Sequence, residues 1–243
     1  MIKLDLPPKP AQLTTKFQAE KTLEFINSGK TKKVWGMEWL RKEVLAMSFS
    51  KCCYSEIKLE EEGKDPHIEH FYPKSKYPEK VLEWGNLLPS SNICNREKRD
   101  HDVGKEPIIN PFVDNPKEFL YLQNYRFYAK TEKGAKTISV LKLNDRFKFG
   151  RKRAEIGEAL KSRLQYRKND IERLTADSNF RDIVEQVKDL LRKGNRKEEY
   201  AALTASTILN DDNFTFIEKS LRERDLWDNE LEDLKRELFF CAL

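Results

Sequence analysis

Residues 50–104 constrain the fold of this chain most, because no long element can form there. The stretch holds all three histidines and three of the four cysteines, among closely spaced turn residues. Pro73 and Pro78 each fix φ and lack an amide donor, so His70 belongs on a short strand that enters a loop. The flanks read differently. Before this segment, residues 15–27 predict a helix with Thr15 as candidate cap and an apolar face of Phe17, Leu23, Phe25 and Ile26. A second helix is predicted over 34–47, where Trp35, Trp39, Leu40, Val44 and Leu45 recur at helical spacing. From residue 144 onward the pattern is helical and highly charged. Its apolar faces come from Leu160, Leu164, Ile171, Leu174, Ile183, Val187, Leu190 and Leu191, with a break at Gly194-Asn195.

The expected class is therefore α+β. It divides into an N-terminal arm with helices (1–49), a core of short elements (50–104), a turn-rich segment with a β-hairpin (105–143) and a helical C-terminal lobe (144–243). The hairpin is expected from strands over 121–128 and 137–143 around the turn Thr131-Glu-Lys-Gly134-Ala. Pro7, Pro8 and Pro10 make residues 1–11 an extended arm, either frayed or a strap on a partner subunit. At 36% charged residues, with no run of about eighteen apolar ones, the chain reads as soluble and as spanning no membrane. The first residues lack the apolar run of a signal peptide, and four cysteines are too few for a disulfide scaffold, so a cytoplasmic location is expected. A net charge of +5 is compatible with nucleic acid without requiring it.

The chemistry concentrates in His67-Ile-Glu-His-Phe-Tyr-Pro-Lys74, Trp84-Gly-Asn86 and Cys94-Asn-Arg-Glu-Lys98. Cutting a phosphodiester requires a base for water, a cation for the phosphate and a stabilised leaving oxygen. One imidazole and one divalent ion can supply these. His70 is the candidate base, since its ordinary pKa of about 6.5 lies near neutrality. Glu69 points to the other strand face and suits a metal. Asn86, sixteen residues after His70, fits an amide that holds the loop carrying the histidine. Asn95 opens an expected short helix over 95–102, where a side-chain oxygen suits a hard cation. Lys98 and Arg99, one turn on, share its face and are candidates for the scissile phosphate and a neighbouring one. His67 shares a face with Glu69 and could assist metal or phosphate. His101 falls on the opposite helix face and reads as structural.

In this order, His70, Asn86 and Asn95 resemble the His-Asn-Asn form of the HNH nuclease motif, which folds as a ββα-metal unit. The resemblance implies that His70 is the general base, that Glu69 and Asn95 hold Mg²⁺ or Mn²⁺, and that Asn86 fixes the histidine loop. Asn95-Arg-Glu-Lys98 resembles the end of the unit in RNA-guided nucleases. Many such units also carry two Cys-x-x-Cys pairs around a structural zinc. Here Cys52/Ser55 and Ser91/Cys94 stand at those positions, and since a hydroxyl is a poor zinc ligand, a structural zinc is not expected.

The wider pattern narrows the resemblance. Cys52-Cys-Tyr-Ser-Glu56, Glu83-Trp-Gly-Asn-Leu-Leu-Pro89, Ile109-Asn-Pro-Phe-Val-Asp-Asn-Pro116 and Leu141-Lys-Leu-Asn144 with Arg151 and Arg153 are similar to the retron- and Septu-associated HNH proteins of the PtuB family. The likeness spans most of 1–155. It implies an antiphage effector working with a PtuA-type ABC/SMC-like ATPase and, in retron systems, a reverse transcriptase and its DNA–RNA product. The expected activity is metal-dependent cleavage of nucleic acid, DNA by default. The alternatives are an RNA (including tRNA) nuclease with the same site, and a catalytically inactive nucleic-acid-binding or assembly subunit.

Overall fold

The computed structural model describes residues 1–59, 66–173 and 180–243. The architecture is α+β: helices with two small two-stranded sheets. The chain divides into two compact units, one formed mainly by residues 3–120 and 128–143, the other by 121–127 and 144–243.

In the first unit, the N-terminal arm is not frayed. Met1, Leu4 and Leu13 are buried. The Met1 ammonium pairs with Glu56 at 2.8 Å. Leu4 N donates to Pro111 O (2.9 Å) and Trp84 Nε1 to Pro7 O (2.8 Å). Met1, Leu4 and Leu13 are thus packed into their own chain while Leu6 stays exposed, and the prolines keep the arm extended along the surface that receives it. Helix α1 spans Thr15–Asn27. Its cap is Thr14, one residue earlier than expected, whose hydroxyl accepts from Phe17 N. Helix α2 spans Glu38–Ala46 and buries Leu40, Val44 and Leu45. It is shorter than expected, and Trp35 lies outside it. Strands β1 (Pro66–His70) and β2 (Leu87–Ser91) pair antiparallel, with His67 opposite Ser90, Glu69 opposite Leu88 and His70 opposite Leu87. Helix α3 (Asn92–Lys98) follows β2 directly and packs on both strands, while α2 packs on them as well. All five residues of β2 are buried, as expected of a strand covered on both faces.

The hairpin forms, but not where its spacing suggested. Strands β3 (Leu120–Gln123) and β4 (Arg126–Ala129) turn at Asn124-Tyr125, both at positive φ (47° and 62°). This is the backbone a two-residue hairpin turn requires, reached without glycine. Residues expected as the second strand belong instead to helix α4 (Glu132–Val140), because Thr131 caps it by accepting from Gly134 N.

In the second unit a π-turn, Arg146–Gly150, leads into α5 (Arg151–Arg173), followed by α6 (Arg181–Arg192), α7 (Ala201–Leu209), α8 (Asp212–Arg222) and α9 (Asn229–Cys241). Helix α7 escaped the sequence reading because it is apolar all round. It is the central helix, packed against α5, α8 and α9. Leu174, expected on an apolar face, lies outside the described residues. Asn144 pins the hairpin by exchanging both its amide atoms with Phe127, and the buried Arg153 donates to Tyr125 O (2.9 Å). Among the described residues, no helix is long and apolar enough to cross a membrane.

Gly134 marks a close approach in the first unit: a Cβ there would lie 2.2 Å from the Phe119 carbonyl oxygen. That oxygen also accepts from Lys130 N and cannot yield. Helix propensity alone would favour Gly134→Ala by about 1 kcal/mol. The backbone clash outweighs this, so the variant is expected to lose about 1–3 kcal/mol in urea denaturation.

Candidate active site around His70

Strand β1 sends Glu69 and His70 to opposite faces, yet both are buried. On the histidine side, Nε2 lies 3.0 Å from Val81 O and the ring meets Trp35 edge-on, with centroids 4.7 Å apart. A carbonyl only accepts, so Nε2 carries the proton and Nδ1 is left as the basic nitrogen. Burial, aided by the nearby Lys74 charge, pulls the pKa of His70 from 6.5 down to about 3. The ring is therefore neutral at physiological pH.

Asn86 sits in the short 3₁₀ turn before β2 and is buried. Its Oδ1 accepts from Tyr72 N (2.6 Å), and its Nδ2 donates to Tyr72 O (3.2 Å) and Lys80 O (2.9 Å). Its backbone carbonyl accepts from Phe71 N. One side chain thus ties the segment after His70 to the turn that supplies Val81.

On the other face, Glu69 Oε1 is in ionic contact with Lys98 Nζ at 2.5 Å and accepts no aligned hydrogen bond. Burial pushes the Glu69 carboxyl above the usual range, against the opposing pull of Lys98. Lys98 is itself buried and also donates to His70 O (3.0 Å). Asn95, half-buried on α3, lies with Nδ2 3.4 Å from His67 Nδ1. His101 stands apart, with Nε2 2.8 Å from Glu106 O.

A cavity of about 760 Å³ opens on this site, bordered by His67, Glu69, His70 and Asn95 together with Lys33, Trp35, Arg41, Lys74 and Arg99. Arg99 lies on the cavity wall. Lys98 does not border the cavity: its ammonium is turned inward, where Glu69 and the His70 carbonyl engage it. Lys33, Trp35 and Arg41 carry no local signal in the sequence, since folding brings α2 and the segment before it to β1. Lys74, two residues beyond the loop that Asn86 fixes, was visible in the quoted motif.

The donors fit a hard divalent ion. Glu69 borders the cavity with its Oε1 held by Lys98 at 2.5 Å, and Asn95, which carries an amide oxygen, borders the same cavity. Among the described residues, no three His, Cys, Asp or Glu side chains converge on a metal position. A sparse set of this kind suits Mg²⁺ or Mn²⁺, which keep several waters, better than a cage-bound ion.

Behind the site, the loop carrying Cys52 and Cys53 attaches to β2 through Cys53 N and Pro89 O (2.9 Å). Cys52 Sγ accepts from Ser55 N (3.5 Å), and Ser91 Oγ accepts from Cys94 N (3.2 Å) as the cap of α3. All four side chains are buried. The hydrogen bond to Cys52, together with burial, pushes the Cys94 thiol up.

Asn86→Ala is expected to strand the Tyr72 amide and the Lys80 carbonyl and to cost roughly 2–3 kcal/mol in urea denaturation. The His70 shift has a definite sign. The unfolded chain binds a proton near pH 6.5 and the folded one only near 3, so this group's contribution to stability is complete above 6.5 and declines as pH falls toward 3. In urea midpoints measured between pH 7 and 5, the wild type should fall more steeply than His70→Leu. Parallel curves would contradict a buried, neutral histidine.

No protein-family model matches the chain. A curated protein described as Septu protein PtuB, from Bacillus thuringiensis, is 35% identical over 239 residues, spanning 96% of this chain and 92% of that protein. A likeness this strong and this nearly complete end to end covers the helical second unit as well as the His70 site, and the chain belongs to the Septu PtuB family.

Proposed function

We propose that this protein is a metal-dependent HNH endonuclease whose core is the ββα unit of β1, β2 and α3, serving as the effector of a Septu-type antiphage defence system. The observation that carries this reading is a neutral, buried histidine held by an asparagine at the wall of a basic cavity, beside a carboxylate and a second asparagine. His70 takes the proton of the attacking water at Nδ1, the nitrogen that Val81 leaves free. Asn86 keeps the loop from moving the ring. Lys33, Arg41, Lys74 and Arg99 bind the polymer backbone and neutralise its phosphates. Glu69 and Asn95 would hold Mg²⁺ or Mn²⁺, which when bound supplies Lewis-acid stabilisation of the phosphate and the leaving oxygen.

DNA is the favoured substrate, with RNA as the alternative polymer for the same site. The partner is a PtuA-type ATPase, as the family resemblance implies. No zinc is assigned to Cys52, Ser55, Ser91 and Cys94, because two of the four positions carry hydroxyls, which are poor zinc ligands.

The test uses the complex with the ATPase, incubated with plasmid, single-stranded DNA and total RNA in Mg²⁺ or in EDTA. Cleavage should require Mg²⁺, and His70→Ala should lower its rate about 10²–10⁴-fold and abolish phage protection in cells. Protection that survives His70→Ala would leave an assembly subunit in place of an enzyme. Cleavage that survives EDTA would sink the metal mechanism.

A further inference from the structure

Lys98 is the one motif residue whose place in the structure does not match its expected role. Its ammonium is fully buried between two groups on adjacent residues of β1, ion-paired with the Glu69 carboxylate at 2.5 Å and donating to the His70 carbonyl at 3.0 Å. It does not border the cavity, whereas Glu69 does. To reach a phosphate it would have to leave Glu69 buried and uncompensated, which is strongly unfavourable.

We propose that Lys98 is a built-in counter-cation for Glu69, a positioning residue that holds the carboxylate in place beside the cavity and makes the site hold a divalent ion weakly. This rests on the metal-site reading of Glu69 proposed above. Two features of the geometry carry it. The ammonium already compensates the carboxylate, so an ion arriving from the cavity meets a partly neutralised ligand. The ammonium and the incoming ion then share one carboxylate, so they repel across a few ångströms of desolvated protein, where charges are poorly screened. A second consequence follows from the His70 carbonyl. The group that tempers the metal ligand also fixes the backbone of the base, so the two halves of the site move as one.

The experiment measures Mn²⁺ binding at pH 8 by the electron paramagnetic resonance of free Mn²⁺, with no cleavage readout. The full-length chain is compared with Lys98→Met, Lys98→Gln and Glu69→Gln, each checked for folding by circular dichroism. Glu69→Gln should lose binding. Lys98→Met and Lys98→Gln should bind Mn²⁺ at least about tenfold more tightly, since the repelling charge is gone and the carboxylate remains. Unchanged or weaker binding by folded Lys98 variants, with binding lost in Glu69→Gln, overturns the counter-cation role and leaves the nuclease reading standing. Retained binding in Glu69→Gln removes Glu69 as a ligand, and with it both the metal-site reading and this inference. If neither Lys98 variant folds, the wild-type Lys98 Nζ resonance decides. Its ¹⁵N shift should move on Mg²⁺ addition, and an unmoved resonance overturns the proposal.

Discussion

The end of β1 imposes the constraint around which the first unit is arranged. Glu69 and His70 are adjacent, point to opposite faces and are both out of water, so each face needs its own polar solution. Helix α3 supplies one by carrying Lys98 to the carboxylate. The turn ending at Val81 and the segment before α2 supply the other, with Val81 for the imidazole nitrogen and Trp35 for its ring. An unpaired charge left on either face would cost several kcal/mol, more than most single packing contacts return. The positions of α2, α3 and the Asn86 turn follow from closing these two faces.

This explains which parts of the site can be read in the sequence. Glu69, His70, Asn86 and Asn95 lie within a short span whose connections are too brief to allow many arrangements, and folding keeps them at one location. Lys98 was legible as a member of the set but not in its direction. Helical spacing puts it near the face of Asn95, whereas its long side chain reaches back to the buried Glu69 carboxylate and the His70 carbonyl. Lys33 and Arg41 reach the cavity only through packing of α2 on the strands, a long-range event with no periodic signature.

The same distinction separates the correct from the incorrect parts of the fold. Helices with one apolar face, such as α6 with Ile183, Val187, Leu190 and Leu191, announce themselves by spacing. Helix α7 does not, because a helix buried on all sides has no polar face to set its period. The hairpin was misplaced because Thr131-Glu-Lys-Gly134 carries turn residues that equally suit a helix cap, while the true turn at Asn124-Tyr125 holds a bulky residue at positive φ. The buried Arg153, bonded to the Tyr125 carbonyl, provides the tertiary support that such a backbone needs.

The cluster behind β2 combines two thiols and two hydroxyls, Cys52, Ser55, Ser91 and Cys94, all buried. Within it Cys52 Sγ accepts from Ser55 N, and the loop attaches to β2 through Cys53 N and Pro89 O. Ser91 is the instructive member. A thiolate there would be a zinc ligand, but a hydroxyl is a far better helix cap, and it accepts from Cys94 N at the first turn of the helix that carries Asn95 and Lys98. A cap contributes about 1 kcal/mol, much less than a structural zinc. It acts, however, on the one helix whose register decides whether Lys98 meets Glu69. Fixing that register requires local order at the start of α3 more than it requires global stability, and the rest of the rigidity comes from the ion pair at the helix's other end. The two ends of a seven-residue helix, one capped by a serine and one anchored by a buried lysine, thus hold Asn95 between them at the cavity wall.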